Sequence, residues 1–449
     1  MPTVFIETYG CQMNVSDSEL MLGKLAAEGY ERSDSPDGAD VVLLNTCAIR
    51  EHAETRVIGR LGELRRFLKP GAVLGVTGCM AQRLGPKLLE TDTRVSLVIG
   101  PDGYRALPTL IEAARNGGRM ISTEFDIEEH YEDFQASRSE GVKAWIPVQR
   151  GCDYRCTYCI VPFTRGSERS RQLEDVVREA AAVVAQGLTE VVLLGQTVNS
   201  YHDGTRDFAD LLRAVGAVPG IRRVRFVSPH PNDFTDRVIA AMAEVGTVCE
   251  HVHLPMQSGS TQVLKRMLRR YSREDYLDCV ARLRTAMPGL GLTTDIIVGF
   301  PGETDEDFAE TLSAVREIGF DDAFMFKFSP RDGTPATRMP PEWTVPDAVV
   351  DARFNELLQL VRGMAREGNF RRVGQRMEVL VEKEARKGEL LQARSRDYRT
   401  VLIPGDLSMI GQYFHVELTG TTGSTFTGQV VRERDRDPVP ARQPLPVAG

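Results

Sequence analysis

The chain has 449 residues, 42% of them hydrophobic and 26% charged, with a formal net charge of −8. That length supports two or three domains with a sizeable core, and the composition is ordinary for a globular protein in water. It excludes a disulfide scaffold, since eight cysteines are too few, a spanning helix, since no apolar run approaches roughly 20 residues, and a chain that is basic throughout, although nucleic acids are bound by local patches.

Residues 1–120 alternate short apolar runs with helical spacing. Val4–Glu7, Val41–Leu44, Val73–Val76 and Leu97–Ile99 read as strands; Ser16–Gly29, Glu51–Leu68 and Tyr104–Ala114 read as helices. Such alternation predicts a parallel α/β sheet. Met1–Cys11 lacks a charged region followed by a long apolar run, so no signal peptide is expected and a cytoplasmic protein is the default. Residues 121–141 read as a solvated acidic linker: Ser122–Glu140 holds seven acidic residues and one basic residue, Arg138, with no period.

A second α/β segment spans 142–371. Ile146–Gln149, Val191–Leu194, Val224–Val227, His251–Leu254, Asp295–Val298 and Ala323–Phe328 are its predicted strands. Leu173–Ala185, Asp233–Val245, Arg273–Ala286 and Asp305–Ile318 are predicted helices between them, which makes an incomplete barrel or a curved parallel sheet. In 372–434, Met377–Val381, Tyr398–Ile403, Tyr413–Leu418 and Thr425–Val430 read as strands of a small antiparallel barrel. The Pro- and Arg-rich end, 435–449, reads as disordered.

Cys152-Asp-Tyr-Arg-Cys156-Thr-Tyr-Cys159 is the sharpest signal in the chain. Three thiolates in one loop can hold three irons of a 4Fe–4S cluster and leave the fourth iron open to a small molecule. A structural zinc site would want four ligands, and no fourth Cys or His lies in the loop or its near flanks. The loop follows a strand, at the sheet edge where α/β proteins bind ligands.

Cys11, Cys47 and Cys79 each follow a predicted strand of the first segment. In a parallel sheet those loops open on one edge, so residues 36 and 32 positions apart can converge on a second cluster. Three inert buried cysteines are the plainer alternative. Cys279 has the helical spacing of a core residue, and Cys249 has no evident partner. His251 and His253 face one side of a strand, as a polar lining or as a metal pair.

The central loop, with Tyr158 before its last cysteine, resembles the signature of radical S-adenosylmethionine (SAM) enzymes. That resemblance implies SAM on the open iron and its cleavage to a 5′-deoxyadenosyl radical. Leu194-Gly195-Gln196 and Asp295-Ile-Ile-Val-Gly-Phe-Pro-Gly-Glu-Thr304 resemble cofactor-proximal stretches of the same family. Tyr158, Gln196, Asp295 and Gly299 are therefore candidate SAM contacts, and Thr304 with Asp307 reads as a helix cap. Leu254-Pro-Met-Gln-Ser-Gly-Ser260 resembles a further such stretch.

Thr8-Tyr-Gly-Cys11-Gln-Met-Asn14, Asn45-Thr-Cys47-Ala-Ile-Arg50 and Thr77-Gly-Cys79-Met-Ala-Gln82 closely resemble the methylthiotransferases, over about residues 3 to 432. The resemblance implies three parts: a flavodoxin-like N-terminal domain with an auxiliary 4Fe–4S cluster, a partial (β/α)6 radical SAM barrel, and a C-terminal β-barrel of the RNA-binding TRAM type. It implies two clusters, two uses of SAM, an electron donor such as flavodoxin or ferredoxin, and a sulfur donor. The residues after Cys11 and Cys47 resemble the branch that adds a methylthio group at C2 of isopentenyl-adenosine beside the tRNA anticodon. They differ from the branches acting on threonylcarbamoyl-adenosine or a ribosomal protein. Thr197 and Ser167 depart from the usual pattern, which has Asn and Arg there. A non-catalytic iron–sulfur RNA-binding protein is the rival from another class, and the intact SAM signature argues against it.

From Arg362 to Arg399 there are 11 basic and 6 acidic residues, an expected docking patch for the anticodon arm. All six candidate ligand cysteines precede residue 160, so this segment is expected to hold RNA independently of the cluster sites. Arg165, Arg169 and Arg171 are a second expected contact with the tRNA backbone, or a solvated loop.

Overall fold

The computed structural model describes residues 1–48, 51–132, 134–138, 141–386 and 388–431, apart from the side chains of 51–55 and 91. The stretch 435–449, expected to be disordered, and Arg50 of the second cysteine motif lie outside the described residues.

Six parallel strands form the first sheet: β1 (Thr3–Thr8), β2 (Glu31–Arg32), β3 (Val41–Thr46), β4 (Val73–Gly78), β5 (Val95–Ile99) and β6 (Met120–Ser122). Their order, β2-β1-β3-β4-β5-β6, is the flavodoxin-like one extended by a strand. Every residue of β3 and β4 is buried, as strands covered on both faces require. Val41 and Leu43 pack with Leu20, Met21 and Ile111 on one face, and Val42 and Leu44 with Val57, Leu61 and Met80 on the other.

The acidic stretch departs from the expected solvated linker. Tyr131 is 3% exposed, stacks on Tyr104 and joins the first-domain core, while Glu129 pairs with Arg105 at 2.6 Å. The stretch is therefore a strap along the first domain, fixed by Tyr131, by Phe134 packed beside it, and by its carboxylates.

The second domain has β7 (Lys143–Pro147), the short pair β8 (Gln149–Arg150) and β9 (Arg169–Ser170), then β10 (Glu190–Leu194), β11 (Arg223–Phe226), β12 (His251–His253), β13 (Gly291–Val298) and β14 (Asp322–Lys327). β7, β10 and β11 pair in parallel, as do β12, β13 and β14, and a parallel bridge from Val224 to Val248 joins the two sets. Six strands in sequential order make the partial barrel. Val191, Leu193, Leu292 and Ile296 face the helices, leaving Val192, Leu194, Thr293 and Asp295 toward the lumen. Thr304 caps the helix Asp305–Ile318 as its sequence predicts: its hydroxyl accepts from Asp307 N at 3.2 Å. The helix Asp347–Phe370, not foreseen in sequence, lies along β14 and buries Leu357 and Val361.

The C-terminal barrel closes as β15 (Arg376–Glu384), β16 (Leu390–Ser395), β17 (Thr400–Pro404), β19 (Phe426–Val430) and β18 (Tyr413–Thr421). It is not wholly antiparallel, because β17 and β19 run in parallel. This barrel caps the N-terminal ends of the second domain's strands. Arg225 donates to the Ser395 and Arg396 carbonyls at 2.7 and 2.8 Å, Arg223 pairs with Glu378 at 2.9 Å, and Lys143 pairs with Glu382 at 3.0 Å.

Candidate active site

The sheet edge brings Cys11, Cys47 and Cys79 together. Gly10, at φ +136°, precedes Cys11, and a Cβ there would stand 2.6 Å from Cys47 Cβ. Only glycine lets the two loops approach so closely. Asn14 Nδ2 donates to Asn45 Oδ1 at 3.2 Å and to the Thr46 carbonyl at 3.1 Å, and Asn45 Nδ2 returns a bond to the Asn14 carbonyl at 2.7 Å. Asn14 and Asn45 are fully buried, so this reciprocal pair clamps the first two cysteine loops together. A hydrogen bond from Cys47 lowers the Cys11 thiol to about 6 against the opposing effect of burial. Burial raises the Cys79 thiol, and the Arg165 charge opposes that rise.

The central triad sits at the C-terminal end of the strands, opposite the capped floor. Gly151, at φ +74°, turns the chain into Cys152, and a Cβ there would run into the Ser167 carbonyl. Gln149 ties the loop to its neighbour: its amide donates to the Gly151 carbonyl at 2.7 Å and accepts from Gln196 N at 2.8 Å. Cys152 Sγ lies 3.2 Å from Thr197 Oγ1, and Arg269 Nη1 donates to Cys156 Sγ at 3.5 Å. Leu268 and Arg270, on either side of Arg269, both have positive φ, +55° and +58°. Such backbone is costly for side-chain-bearing residues and concentrates at functional sites. Burial raises the Cys159 thiol to about 12, and the neighbouring Cys156 adds to the rise.

Among the described residues, no three His, Cys, Asp or Glu side chains close on one point as a single-ion site requires. A four-iron cluster is wider, and its ligand sulfurs stand further apart. Both sets offer soft sulfur donors, buried or half-buried, beside a guanidinium that favours the thiolate. The residues fit clusters.

The candidate SAM contacts are spread around the mouth and lumen. Gln196 Oε1 accepts from Gly151 N at 2.6 Å, which engages it with the cysteine loop. Tyr158 is half-buried, edge-on to Phe300 at 6.4 Å. Asp295 lines the lumen, 3.3 Å from His253 Nε2. Gly299 has φ +77° and a tight neighbour in Val350, so packing against the helix Asp347–Phe370 already demands glycine there. His251 and His253 share Thr293 Oγ1 at 3.2 and 2.9 Å, a polar lining rather than a metal pair. Cys279 is buried on its helix, its thiol 3.8 Å from the Pro231 carbonyl; Cys249 is buried near Arg225.

The expected tRNA contact of Arg165, Arg169 and Arg171 is not what these residues do. Their side chains are 3%, 7% and 10% exposed and held by Asp17, Asp102 and Glu179. The basic C-terminal segment is committed in part: Arg372 and Arg399 pair with Asp397, Arg394 with Glu382, Arg396 with Glu250 and Arg376 with Glu417. Composition counts charge but not its partners, so neither commitment was visible in sequence. Arg269, Gln149 and Asp17 escaped sequence reasoning for the same reason.

Residues 146–315 match the model of the Radical SAM superfamily, 3–100 that of the Uncharacterized protein family UPF0004, and 371–431 that of the TRAM domain. The fold resembles the radical S-adenosylmethionine methyltransferase TsrM from Kitasatospora setae, with a TM-score of 0.57 at 17% identity over 75% of this chain and 74% of that one. The chain is thus a radical SAM protein with an N-terminal sheet domain and a C-terminal TRAM barrel. It is 44% identical to a tRNA-2-methylthio-N(6)-dimethylallyladenosine synthase of Geobacillus kaustophilus, over 96% of this chain and 82% of the relative. With the Clostridium novyi protein of that name the identity is 42%, over 95% of this chain and 96% of the relative. The chain belongs to the tRNA-2-methylthio-N(6)-dimethylallyladenosine synthase family.

Proposed function

We propose that this protein adds a methylthio group at C2 of isopentenyl-adenosine beside the tRNA anticodon. The observation that carries the reading is the meeting of two cysteine triads across one domain junction, linked by the buried Arg165 between Cys79 and Asp17. When bound, two 4Fe–4S clusters and SAM supply the sulfur, the methyl group and the carbon radical that an unreactive aromatic C–H bond demands. Cys152, Cys156 and Cys159 would hold three irons of one cluster and leave the fourth for SAM; Cys11, Cys47 and Cys79 would do the same beside it for the sulfur. Thr197 and Arg269 direct hydrogen bonds at the central sulfurs. On β14, Phe324 and Phe326 alternate with the core residues Ala323 and Met325 and are 56% and 37% exposed, which offers an aromatic face to a base.

Exposed Arg366 lies over the half-exposed Phe370 at 5.5 Å, Arg362 and Arg371 are exposed on the same stretch, and Lys383 and Arg386 lie exposed on the TRAM barrel. These are the charges available to tRNA phosphates. An external electron donor such as flavodoxin or ferredoxin and a sulfur donor complete the reaction. No described helix is long and apolar enough to cross a membrane; a tRNA substrate supports a cytoplasmic setting.

The test is mass spectrometry of tRNA nucleosides from cells with and without the gene. Loss of the methylthio group from isopentenyl-adenosine alone is the expected result. An unchanged isopentenyl-adenosine pool, or loss of the group from threonylcarbamoyl-adenosine instead, would overturn the assignment.

A further inference from the structure

Arg165 ends the short helix Val161–Arg165, which begins two residues after Cys159. By sequence it belongs to the central cysteine loop. By contact it belongs to the other domain: its Nε donates to Cys79 Sγ at 3.2 Å and its Nη2 to Asp17 Oδ2 at 2.6 Å. Asp17 is fully buried and also receives Arg150 Nη2 at 3.3 Å. Arg165 is 3% exposed, and among the described residues its Nη1 has no hydrogen-bond partner. A buried donor without an acceptor is costly. Here it points to a ligand beside the Cys79 sulfur, and a cluster's inorganic sulfide would accept from it.

We infer that Arg165 is a positioning residue for the auxiliary cluster: it fixes Cys79 Sγ from across the domain junction and supplies the positive charge that sets that cluster's reduction potential. The inference rests on the reading that Cys11, Cys47 and Cys79 hold a cluster. Adding an electron makes a cluster more negative. A guanidinium on a ligand sulfur, in a site removed from water, stabilises the reduced form and raises the potential. Asp17 opposes this charge, and because an Asn there would still accept from Arg165 Nη2, the guanidinium stays aimed at the sulfur without the anion. The arrangement repeats at the central site, where Arg269 takes the Cys156 sulfur. Neither arginine lies on the loop of the cysteine it touches, so each sulfur set is held from outside itself.

The experiment uses the full chain with Cys152, Cys156 and Cys159 changed to Ala, leaving one cluster, reconstituted anaerobically and titrated by electron paramagnetic resonance. In this parent, R165Q should shift the reduction equilibrium at least tenfold toward the oxidised form, about 59 mV more negative for one electron. D17N should move it the other way, because an anion is removed and the sulfur keeps its arginine. A loaded R165Q with the parent's potential would overturn the inference. So would R165Q and D17N shifting in the same direction, the mark of a merely broken ion pair. If R165Q retains no iron, D17N decides: a rise supports the inference, and no change or a fall overturns it. A parent that takes up no iron would instead sink the reading of Cys11, Cys47 and Cys79 as a cluster site.

Discussion

At the scale of single residues, Gly10 does the most with the least. Its positive φ and the 2.6 Å a Cβ would leave to Cys47 Cβ make it the hinge on which the first two cysteines meet. Gly10→Ala should cost about 1–3 kcal/mol in backbone strain and remove the N-terminal cluster, so that iron falls from about eight to about four per chain, by two clusters of four. Gly29→Ala is the control, since Gly29 has φ +83° but open space around it; it should bear the strain and keep its iron. Full iron in the Gly10 variant would show that the loops need no such contact. The glycine before Cys11 and the Asn14 and Asn45 flanks were legible as a motif. Their physical work, a reciprocal amide clamp, was not, because a motif records spacing and not which side chain bonds which.

At the scale of elements, period decided what could be read. β3, β4 and the helices Leu173–Ala185 and Arg273–Ala286 carry strong runs or stripes, and the sequence places them well. The helix Asp347–Phe370 sets Val350, Leu357 and Val361 inward with Leu360 and Met364 packed beside them, a stripe at helical spacing that the sequence reading passed over. The acidic strap failed for a related reason: Tyr131, Phe134 and Ala136 pack on the first-domain core from an irregular segment, and their spacing has neither the helical nor the strand period. The strap also has a titration. Burial raises the Glu19 carboxyl to about 7, against the pull of Arg138 on the strap. The folded chain thus keeps a proton that the unfolded chain loses near pH 4.5. The stabilisation is complete below that pH and is lost as pH rises through about 7. Glu19→Gln should flatten the fall in urea stability between pH 5 and 7 by about 2 kcal/mol. An equal fall in both proteins would show that Glu19 does not titrate in the folded chain.

At the scale of the molecule, the C-terminal barrel is a floor before it is an arm. It seals the end of the partial barrel opposite the cysteine loops, about 20 Å away by the length of a strand. Its loop Ser395–Arg399 stacks Tyr398 on His251 at 4.7 Å and accepts from Arg225, while Arg223 reaches Glu378. Arg223 and Arg225 are 0% and 5% exposed and share Glu190, so removing the barrel takes away Glu378 and the carbonyl acceptors of the loop and opens this buried charge cluster to water. The expectation that this segment acts independently of the cluster sites therefore changes. A chain ending at Val373 keeps every ligand cysteine, yet it should unfold its central domain more readily and lose SAM cleavage as well as tRNA binding. The variant that separates the two roles is K383E with R386E, because both residues are exposed on the barrel and neither is one of the residues that bond the floor. It should cleave SAM at the parent's rate without tRNA. Its tRNA affinity should fall, and the salt slope should lose about 0.7 for each single-stranded phosphate contact removed. If truncation spared SAM cleavage, the floor would be dispensable. If the charge reversal spared affinity, the anticodon arm would be held at Arg362, Arg366 and Arg371 instead.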